Sequence, residues 1–522
     1  MAGPKQVLRK VGKGFLYLLV GVLALVALLL IYINTGWGKK TVRNQVVSYL
    51  EKHLKTKVSI GSIDYSLPQW IELNNIYVED QKKDTLLFGE RLKVNISMFK
   101  LLRGNTDIQK VDLRNIFINL KRPENDSAFN YEFIVNAFSG NKSTTADPDT
   151  SEMKITLKEI VFNKVVFKMN DQLGGNLFAA SIQKLNATFS KFQPDRLNFG
   201  IDQFDADSVN YFMRTTKASA PDTTNLIVVT DSAKTTPTYG LYINANRFAI
   251  KNANVDIANT VDGMVYKNDL KELKLTNVLF NMEQSIATAD SLLLDRGMVA
   301  FKSALAAKDS SKIVKAVVSD TAKTAPWLIK ANKVNFNSIA AKYDDSNAPA
   351  KDGFDPSHLD VKNINTNIEA FLFSADTTRA FVSQLTMEDE SGLKLDTAHV
   401  NFTFNNNMLL ADQLYIKTPN SLIQNWVSLT YDSLAGITLN PQNSLLKATL
   451  LNSSISFNDL YILLPTLKES FKPAQFANKK VNFNTEIRGN LQRVYLPFLQ
   501  INGLDGSSLS ARGTLYNLTD AK

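Results

Sequence analysis

The feature that most constrains the structure of this chain is a run of nineteen uncharged residues, Phe15 to Ile33. As an α-helix it spans about 28 Å, close to the ~30 Å hydrocarbon core of a bilayer. The alternative is a cleaved signal peptide, but such an apolar region is typically ~7–15 residues long and precedes a small-residue cleavage site. No such site follows Ile33. The run therefore predicts a transmembrane helix over residues 15–33.

The basic balance of the chain comes from the flanks of this run. Of the net charge of +9, seven positive charges belong to lysines and arginines that precede Glu51, the first acidic residue. The small remainder, spread over the rest of the chain, is no electrostatic footprint for nucleic acid. Residues 1–14 form a short tail that we expect in the cytoplasm, with the bulk of the chain across the membrane.

A juxtamembrane helix is predicted over residues 34–56. Within it, Val42, Val46, Leu50 and Leu54 recur at steps of four, which gives one apolar stripe. The stripe suits a helix that covers the end of a sheet, and it also suits a helix that lies on the membrane surface. The first interpretation is favoured.

From residue 57 onward the period changes to two. Runs such as Leu92 to Met98 and Val400 to Phe404 alternate apolar and polar residues, which is typical of strands with one apolar face. Short Asn, Asp, Gly and Ser clusters separate the runs and favour an antiparallel meander. The predicted fold class is therefore mainly β. The spacing of apolar residues predicts a helix in one later segment, Asp459 to Phe471. Its apolar side would consist of Leu460, Leu463, Leu464, Leu467 and Phe471.

A weak repeat, apolar-x-Leu-x-x-apolar-x-apolar, occurs four times, beginning at Ile71, Val111, Ile155 and Leu273. In each copy the alternation slips by one residue, which predicts a β-bulge or a bend. The slips fall at Asn74-Asn75, Arg114-Asn115, Lys158-Glu159 and Thr276-Asn277.

Four stretches are too polar to build a core and are predicted to be loop insertions in a body that covers residues 57–522. They are residues 139–152, 215–238, 303–325 and 341–358.

Motifs that carry chemistry are missing from the sequence. There is no cysteine, so thiolate chemistry and disulfides are excluded, and the three histidines are far apart in sequence. Asp202, Asp205 and Asp207 resemble calcium ligands, but no Glu closes a twelve-residue loop, and a solvated turn is the better interpretation. We predict no enzyme activity, no cofactor and no metal site.

The N-terminal residues resemble a known family. The basic tail, apolar run and amphipathic helix, followed by Lys57 to Asp64 and by Ile71 to Asp80, are similar to AsmA/TamB-like envelope proteins of the kind found in Bacteroidetes. Residues 385–520, including Leu414 to Ser421 and Ser507 to Leu518, resemble the same family.

This resemblance implies an elongated antiparallel β-groove, anchored in the inner membrane by a single helix and extending into the periplasm. It also implies a role in carrying phospholipid between the inner and outer membranes, in support of outer-membrane biogenesis. An outer-membrane barrel protein is the implied partner. The chain stops at Lys522 without the C-terminal TamB domain, so it is either a fragment or a shorter member.

The alternation of apolar and polar residues supports such a groove, because it places apolar side chains on one face of the sheet. An acyl chain bound there gains about 0.8 kcal/mol of transfer free energy for each CH₂ group that it buries. The predicted acyl-chain contacts are the repeat residues Ile71, Leu73, Val111, Leu113, Ile116, Ile118, Ile155, Leu157, Leu273 and Leu275.

Two other functions remain open at this point. A scaffold for outer-membrane protein assembly would pair its exposed strand edges with client strands. A structural, anchored β-protein would instead bury its apolar faces in a closed core.

Overall fold

The computed structural model describes residues 32, 34–66, 69–96, 106–138, 155–217, 240–305 and 326–517. The chain divides into two compact units, Met1–Leu173 (unit 1) and Gly174–Lys522 (unit 2). Apart from Tyr32, the predicted span 15–33 lies outside the described residues. No helix within the described ranges has both the length and the apolar character needed to cross a bilayer.

Unit 1 consists mainly of strands. Its described elements are helix α1 (Gly36–Leu54), strands β1 (Val58–Ser66), β2 (Trp70–Glu79), β3 (Thr85–Ile96) and β4 (Thr106–Arg122), helix α2 (Glu132–Phe138) and strand β5 (Ile155–Asp171).

Unit 2 has the same character. Its described strands are β6 (Asn176–Gln193), β7 (Asn198–Thr215), β8 (Tyr242–Asn259), β9 (Val265–Asn281), β10 (Ile286–Lys302), β11 (Leu328–Asp344), β12 (His358–Phe373), β13 (Thr377–Asp389), β14 (Lys394–Asn405), β15 (Met408–Lys417), β16 (Leu422–Thr430), β17 (Leu445–Ser456), β18 (Lys480–Asn490), β19 (Arg493–Gly503) and β20 (Ser507–Tyr516). Short helices lie between some of them: α3 (Leu434–Leu439), α4 (Phe457–Leu463), α5 (Leu467–Ser470) and α6 (Pro473–Phe476), with 3₁₀ turns at Pro194–Arg196 and Pro441–Asn443. The predicted mainly-β class is confirmed.

Helix α1 is the amphipathic helix that the sequence predicts. Thr35 caps its start, because the Thr35 hydroxyl accepts a hydrogen bond from the Gly38 amide at 3.1 Å, and it ends where Lys55 adopts a left-handed φ of 52°. Its apolar stripe packs on the sheet: Val42, Val46, Val47 and Leu50 contact the buried residues Ile60, Ile63 and Tyr65. The sheet-covering interpretation is confirmed.

Each strand within a unit pairs with the strands that precede and follow it in the chain. The pairs run antiparallel except β4–β5 in unit 1 and β7–β8 and β10–β11 in unit 2, which are parallel. The prediction of a wholly antiparallel meander was wrong at these three places. A parallel pair needs a connection that returns along the full strand length, usually of a dozen residues or more. The predicted insertions 139–152 and 303–325 fall in these connections, and so does 215–238 apart from Thr215, which is the last residue of β7.

Two smaller predictions were also wrong. The fourth insertion begins later than predicted, because β11 continues to Asp344. The helix predicted over Asp459 to Phe471 is broken into α4 and α5. Pro465 follows the end of α4 and cannot supply the backbone N–H that a continuing helix needs.

The predicted slips are bends rather than bulges. Asn75, Asn115 and Asn277 adopt left-handed φ values of 52°, 47° and 49°. The register is the same on both sides of each, so no extra residue is inserted in one strand. In β5 the left-handed residue is Lys164, with a φ of 59°, and not the predicted Lys158-Glu159 step.

The bends of neighbouring strands lie side by side and form a line that we call a crease. In unit 1, Asn115 lies opposite Lys164, because the pairs Arg114–Asn163 and Ile116–Val165 flank them. In unit 2 the crease contains the left-handed residues Ser208, Asn252, Arg296 and Ser338 of β7, β8, β10 and β11.

Candidate apolar binding face

The predicted contact residues of unit 1 come together as rows that run across the strands. Pairing places Leu73 beside Leu92 of β3, and Leu92 beside Leu113 of β4. A second row joins Ile71, Val94 and Val111, and a third joins Val78, Leu87 and Ile118. The parallel strand β5 extends these rows with Phe162, Ile160 and Phe167.

Part of this face is already covered by unit 1 itself. Ile71 and Leu73 pack against the buried residues Ile60, Ile63 and Tyr65, the same cluster that the apolar stripe of helix α1 contacts. Leu73 also belongs to a cluster around Leu54, Ile76 and Val78 to which helix α2 contributes. These two predicted contacts therefore have a structural partner, which alternation alone did not indicate.

Ile116 fills a gap left by glycine. It lies beside Gly89 of β3, where an added Cβ would meet the Ile116 Cδ1 at 2.7 Å. Ile116 is consequently among the most buried apolar residues of unit 1. Leu157 is also buried and pairs with Ile108, while Ile155 opens β5 opposite Thr106.

The two predicted residues of unit 2 lie in longer rows. Leu275 of β9 pairs with Phe248 of β8 and Leu292 of β10. Its row is apolar in eight consecutive strands, β7 to β14: Phe204, Phe248, Leu275, Leu292, Val334, Ile368, Val382 and Val400. Strands lie about 4.8 Å apart, so such a row is about 34 Å long.

The row through Leu273 is longer still. It comprises Ala206, Ile250, Leu273, Leu294, Phe336, Thr366, Leu385, Ala398, Ile416 and Ile423 of β7 to β16. The one polar member, Thr366, is buried, and its hydroxyl donates to the Gln384 carbonyl at 2.8 Å. It therefore presents no free polar group to the face.

The crease in unit 2 keeps apolar side chains on one face of the sheet both before and after the bend. Ile250 and Ala253 lie on either side of Asn252, yet both belong to one apolar cluster. Phe336 and Ile339 flank Ser338 and belong to the same cluster. In a regular strand, residues i and i+2 lie on the same face. Across the left-handed residue of the crease, residues i and i+3 lie on the same face instead, and this happens at the same level in neighbouring strands.

Aromatic contacts reinforce the face in unit 2. The rings of Phe204 and Phe248 stack with centroids 4.5 Å apart, and those of Phe301 and Tyr343 with centroids 6.2 Å apart. Phe301, Ile329 and Phe373, near the strand ends, keep more than a third of their surface exposed. Large apolar side chains are thus accessible at the ends of the rows.

Polar residues alternate with the apolar rows and pair across strands. In unit 1, Arg91 contacts Asp112 at 2.6 Å and Lys110 contacts Glu159 at 2.8 Å. In unit 2, Arg214 contacts Asp256 at 2.8 Å. Hydrogen bonding from Arg214 holds the pKa of the Asp256 carboxyl below its ordinary value of 3.8. These pairs neutralise charge locally and form no concentrated patch of one sign.

The described residues contain no group of three His, Asp or Glu side chains placed to hold a metal ion. Asp202, Asp205 and Asp207 all lie within strand β7 and not in the predicted solvated turn. Asp205 contacts Arg247 at 3.1 Å. Asp207 accepts from Asn252 at 2.9 Å, which with a bond from Ser208 lowers the pKa of Asp207. The Asp205 and Asp207 carboxylates therefore bind side chains of the neighbouring strand β8.

Sequence reasoning missed most of the residues that complete the rows. Phe204, Phe248 and Val334 lie outside the repeat motif, although their strands show the same alternation. Their neighbours depend on the parallel pairs β7–β8 and β10–β11, which only a three-dimensional structure reveals. Neither a known family model nor a curated protein sequence matches this chain.

Proposed function

We propose that the apolar face binds phospholipid acyl chains and that the protein conducts phospholipid between the inner and outer membranes of a bacterial envelope. The observation that carries this proposal is the Leu275 row, which is apolar in eight consecutive strands. Membership of the AsmA/TamB-like family and a single inner-membrane anchor at residues 15–33 are parts of the same proposal.

The energetics suit transport. An acyl chain that lies along a row exchanges water for aliphatic and aromatic side chains at about 0.8 kcal/mol per buried CH₂. Successive strands offer similar side chains, so neighbouring positions along the row have similar affinity. A lipid would move between such positions without a deep trap, with its headgroup on the solvated side.

One observation weighs against the scaffold alternative in unit 1. Strand β1 pairs with β2, and its Gly61 carbonyl is occupied by helix α1, because Arg43 donates a hydrogen bond to it at 2.9 Å. A client strand needs such backbone groups free. The edge of β1 is therefore a poor template for an added strand.

Site-specific photo-crosslinking tests the proposal. A photoreactive residue in place of Leu275 should capture phospholipid in cells, and the same residue in place of Lys274, which is next in the chain and alternates with the row, should not. Equal capture at both positions, or capture at Lys274 alone, would refute the conduit.

A functional test uses the predicted contacts of unit 1. Leu113→Glu and Ile118→Lys place charges on the apolar face, and each should block lipid transfer between donor and acceptor membranes. Charge reversal at the exposed Arg114, which alternates with them, is the matched control. Unimpaired transfer in the folded Leu113→Glu and Ile118→Lys proteins would contradict the proposed function.

A further inference from the structure

The connection between β17 and β18 forms a compact element that we call the helical cap, residues Phe457–Phe476. Its inner side is aromatic: the Phe457 ring lies 5.5 Å from that of Phe471 and 5.2 Å from that of Phe476. The Tyr461 hydroxyl donates to the Phe471 carbonyl at 2.7 Å. The cap is thus held together by its own side chains.

Other connections at the same end of the sheet hold the cap in place. The buried Asp459 carboxylate accepts hydrogen bonds from Thr418 and Ser421 of the β15–β16 turn, both at 2.5 Å. The Phe354 amide, in the β11–β12 loop, donates to the Ile462 carbonyl at 2.8 Å. Because these bonds come from two separate connections, the cap has a fixed orientation on unit 2.

That orientation turns an apolar stripe outward. Leu463 and Leu464 are 43% and 53% exposed, and Phe471, whose ring also packs on Phe457 and Phe476, keeps 39% of its surface exposed beside them. These residues lie on the side of the predicted helix that periodicity would bury, whereas Phe457 and Tyr461 are the buried ones. The break at Pro465 explains the difference, because a continuous helix would have kept one apolar side.

Lysine residues beside this apolar stripe favour a lipid bilayer as its partner. Lys468 and Lys472 are exposed next to it, and Glu469 is the single acidic residue between them. Adjacent leucines and an aromatic ring beside lysines match the boundary of a bilayer, where apolar groups insert and ammonium groups meet lipid phosphates.

We propose that the helical cap is a docking surface for an anionic lipid bilayer, into which Leu463 and Leu464 insert. This contact is separate from acyl-chain binding along the rows. It gives unit 2 its own attachment to a membrane, independent of the predicted anchor in residues 15–33.

The chain has no cysteine, so one label can be placed without background. The full chain carrying Leu464→Cys and an environment-sensitive fluorophore is reconstituted in nanodiscs of neutral lipid, and vesicles containing phosphatidylglycerol are added. Emission should increase and shift to shorter wavelength. The matched control is Leu434→Cys, a leucine of α3 that is 45% exposed and should not respond.

Charge removal gives the second arm. Lys468→Gln with Lys472→Gln should weaken vesicle affinity about 25-fold, since each basic residue near anionic lipid contributes roughly fivefold. No response at position 464, or an equal response at position 434, would overturn the proposal. A response that needs no vesicles and grows with protein concentration would assign the stripe to a second copy of the chain instead. Crosslinking at Leu275 is measured in the same proteins, so failure of the conduit is seen separately.

Discussion

Asn115, at the centre of the unit 1 crease, offers the sharpest test of how the sheet bends. Its φ of 47° is a conformation that costs an ordinary residue about 1–2 kcal/mol, and one that Asn tolerates better than a β-branched residue does. Asn115→Val should therefore lower the free energy of unfolding of unit 1 by about 1–2 kcal/mol. Asn115→Gly relieves the backbone strain but adds about 0.5–1 kcal/mol of chain entropy, so it should be nearly neutral.

Urea unfolding followed by tryptophan fluorescence measures this change. Substituting Trp327 and Trp426 by Phe leaves Trp37 and Trp70, both in unit 1, as reporters. The matched control is Asn163→Val, an exposed β5 position without a left-handed φ, where valine should cost nothing. If Asn115→Val is no more destabilising than Asn163→Val, the bend does not depend on left-handed geometry, and the account of the crease is wrong.

Three further predictions concern stability. Gly297→Ala should destabilise unit 2 by roughly 1–3 kcal/mol, because the new Cβ would lie 2.1 Å from the Asp269 carbonyl oxygen; a thermal midpoint equal to that of the unchanged protein would contradict this. Asp171→Asn should cost unit 1 roughly 1–3 kcal/mol, since the buried Asp171 carboxylate accepts two bonds from Arg122, and urea unfolding measures the loss. The pKa of Asp256 is lowered in the folded chain, so the unfolded chain takes up the proton first as pH falls: the stabilisation is complete above pH 3.8 and declines below it, and an unfolding midpoint with the same acid dependence in Asp256→Asn would refute this.

Much of the fold could be predicted because alternation is a local property. The mainly-β class, helix α1 and three of the four slips follow from residues within a few positions of one another. The slip at Asn115 is visible in sequence because Leu113 and Ile116 are three apart and both apolar. The chemistry of asparagine also favours the left-handed conformation found there.

The rest depended on contacts between distant segments. Nothing local distinguishes a parallel from an antiparallel neighbour, so the partner of Phe204 could not be identified as Phe248. Nor does periodicity reveal which element covers a given apolar residue. Leu73 packs in the same apolar cluster as helix α1. Leu463 has equally good helical spacing but is exposed, because Pro465 ends the helix and aromatic residues occupy the inner side.

Pairing in chain order has a consequence for how unit 2 changes size. From β11 to β20 each strand pairs antiparallel with the next strand in the chain, so each hairpin interacts mainly with two neighbours. Stability in such an array is close to a sum of nearest-neighbour contributions. A hairpin duplicated within β12 to β16 would therefore lengthen the array by two strand widths while the remaining hairpins keep their partners. An odd number of added strands would reverse the direction of everything that follows and require another long return connection.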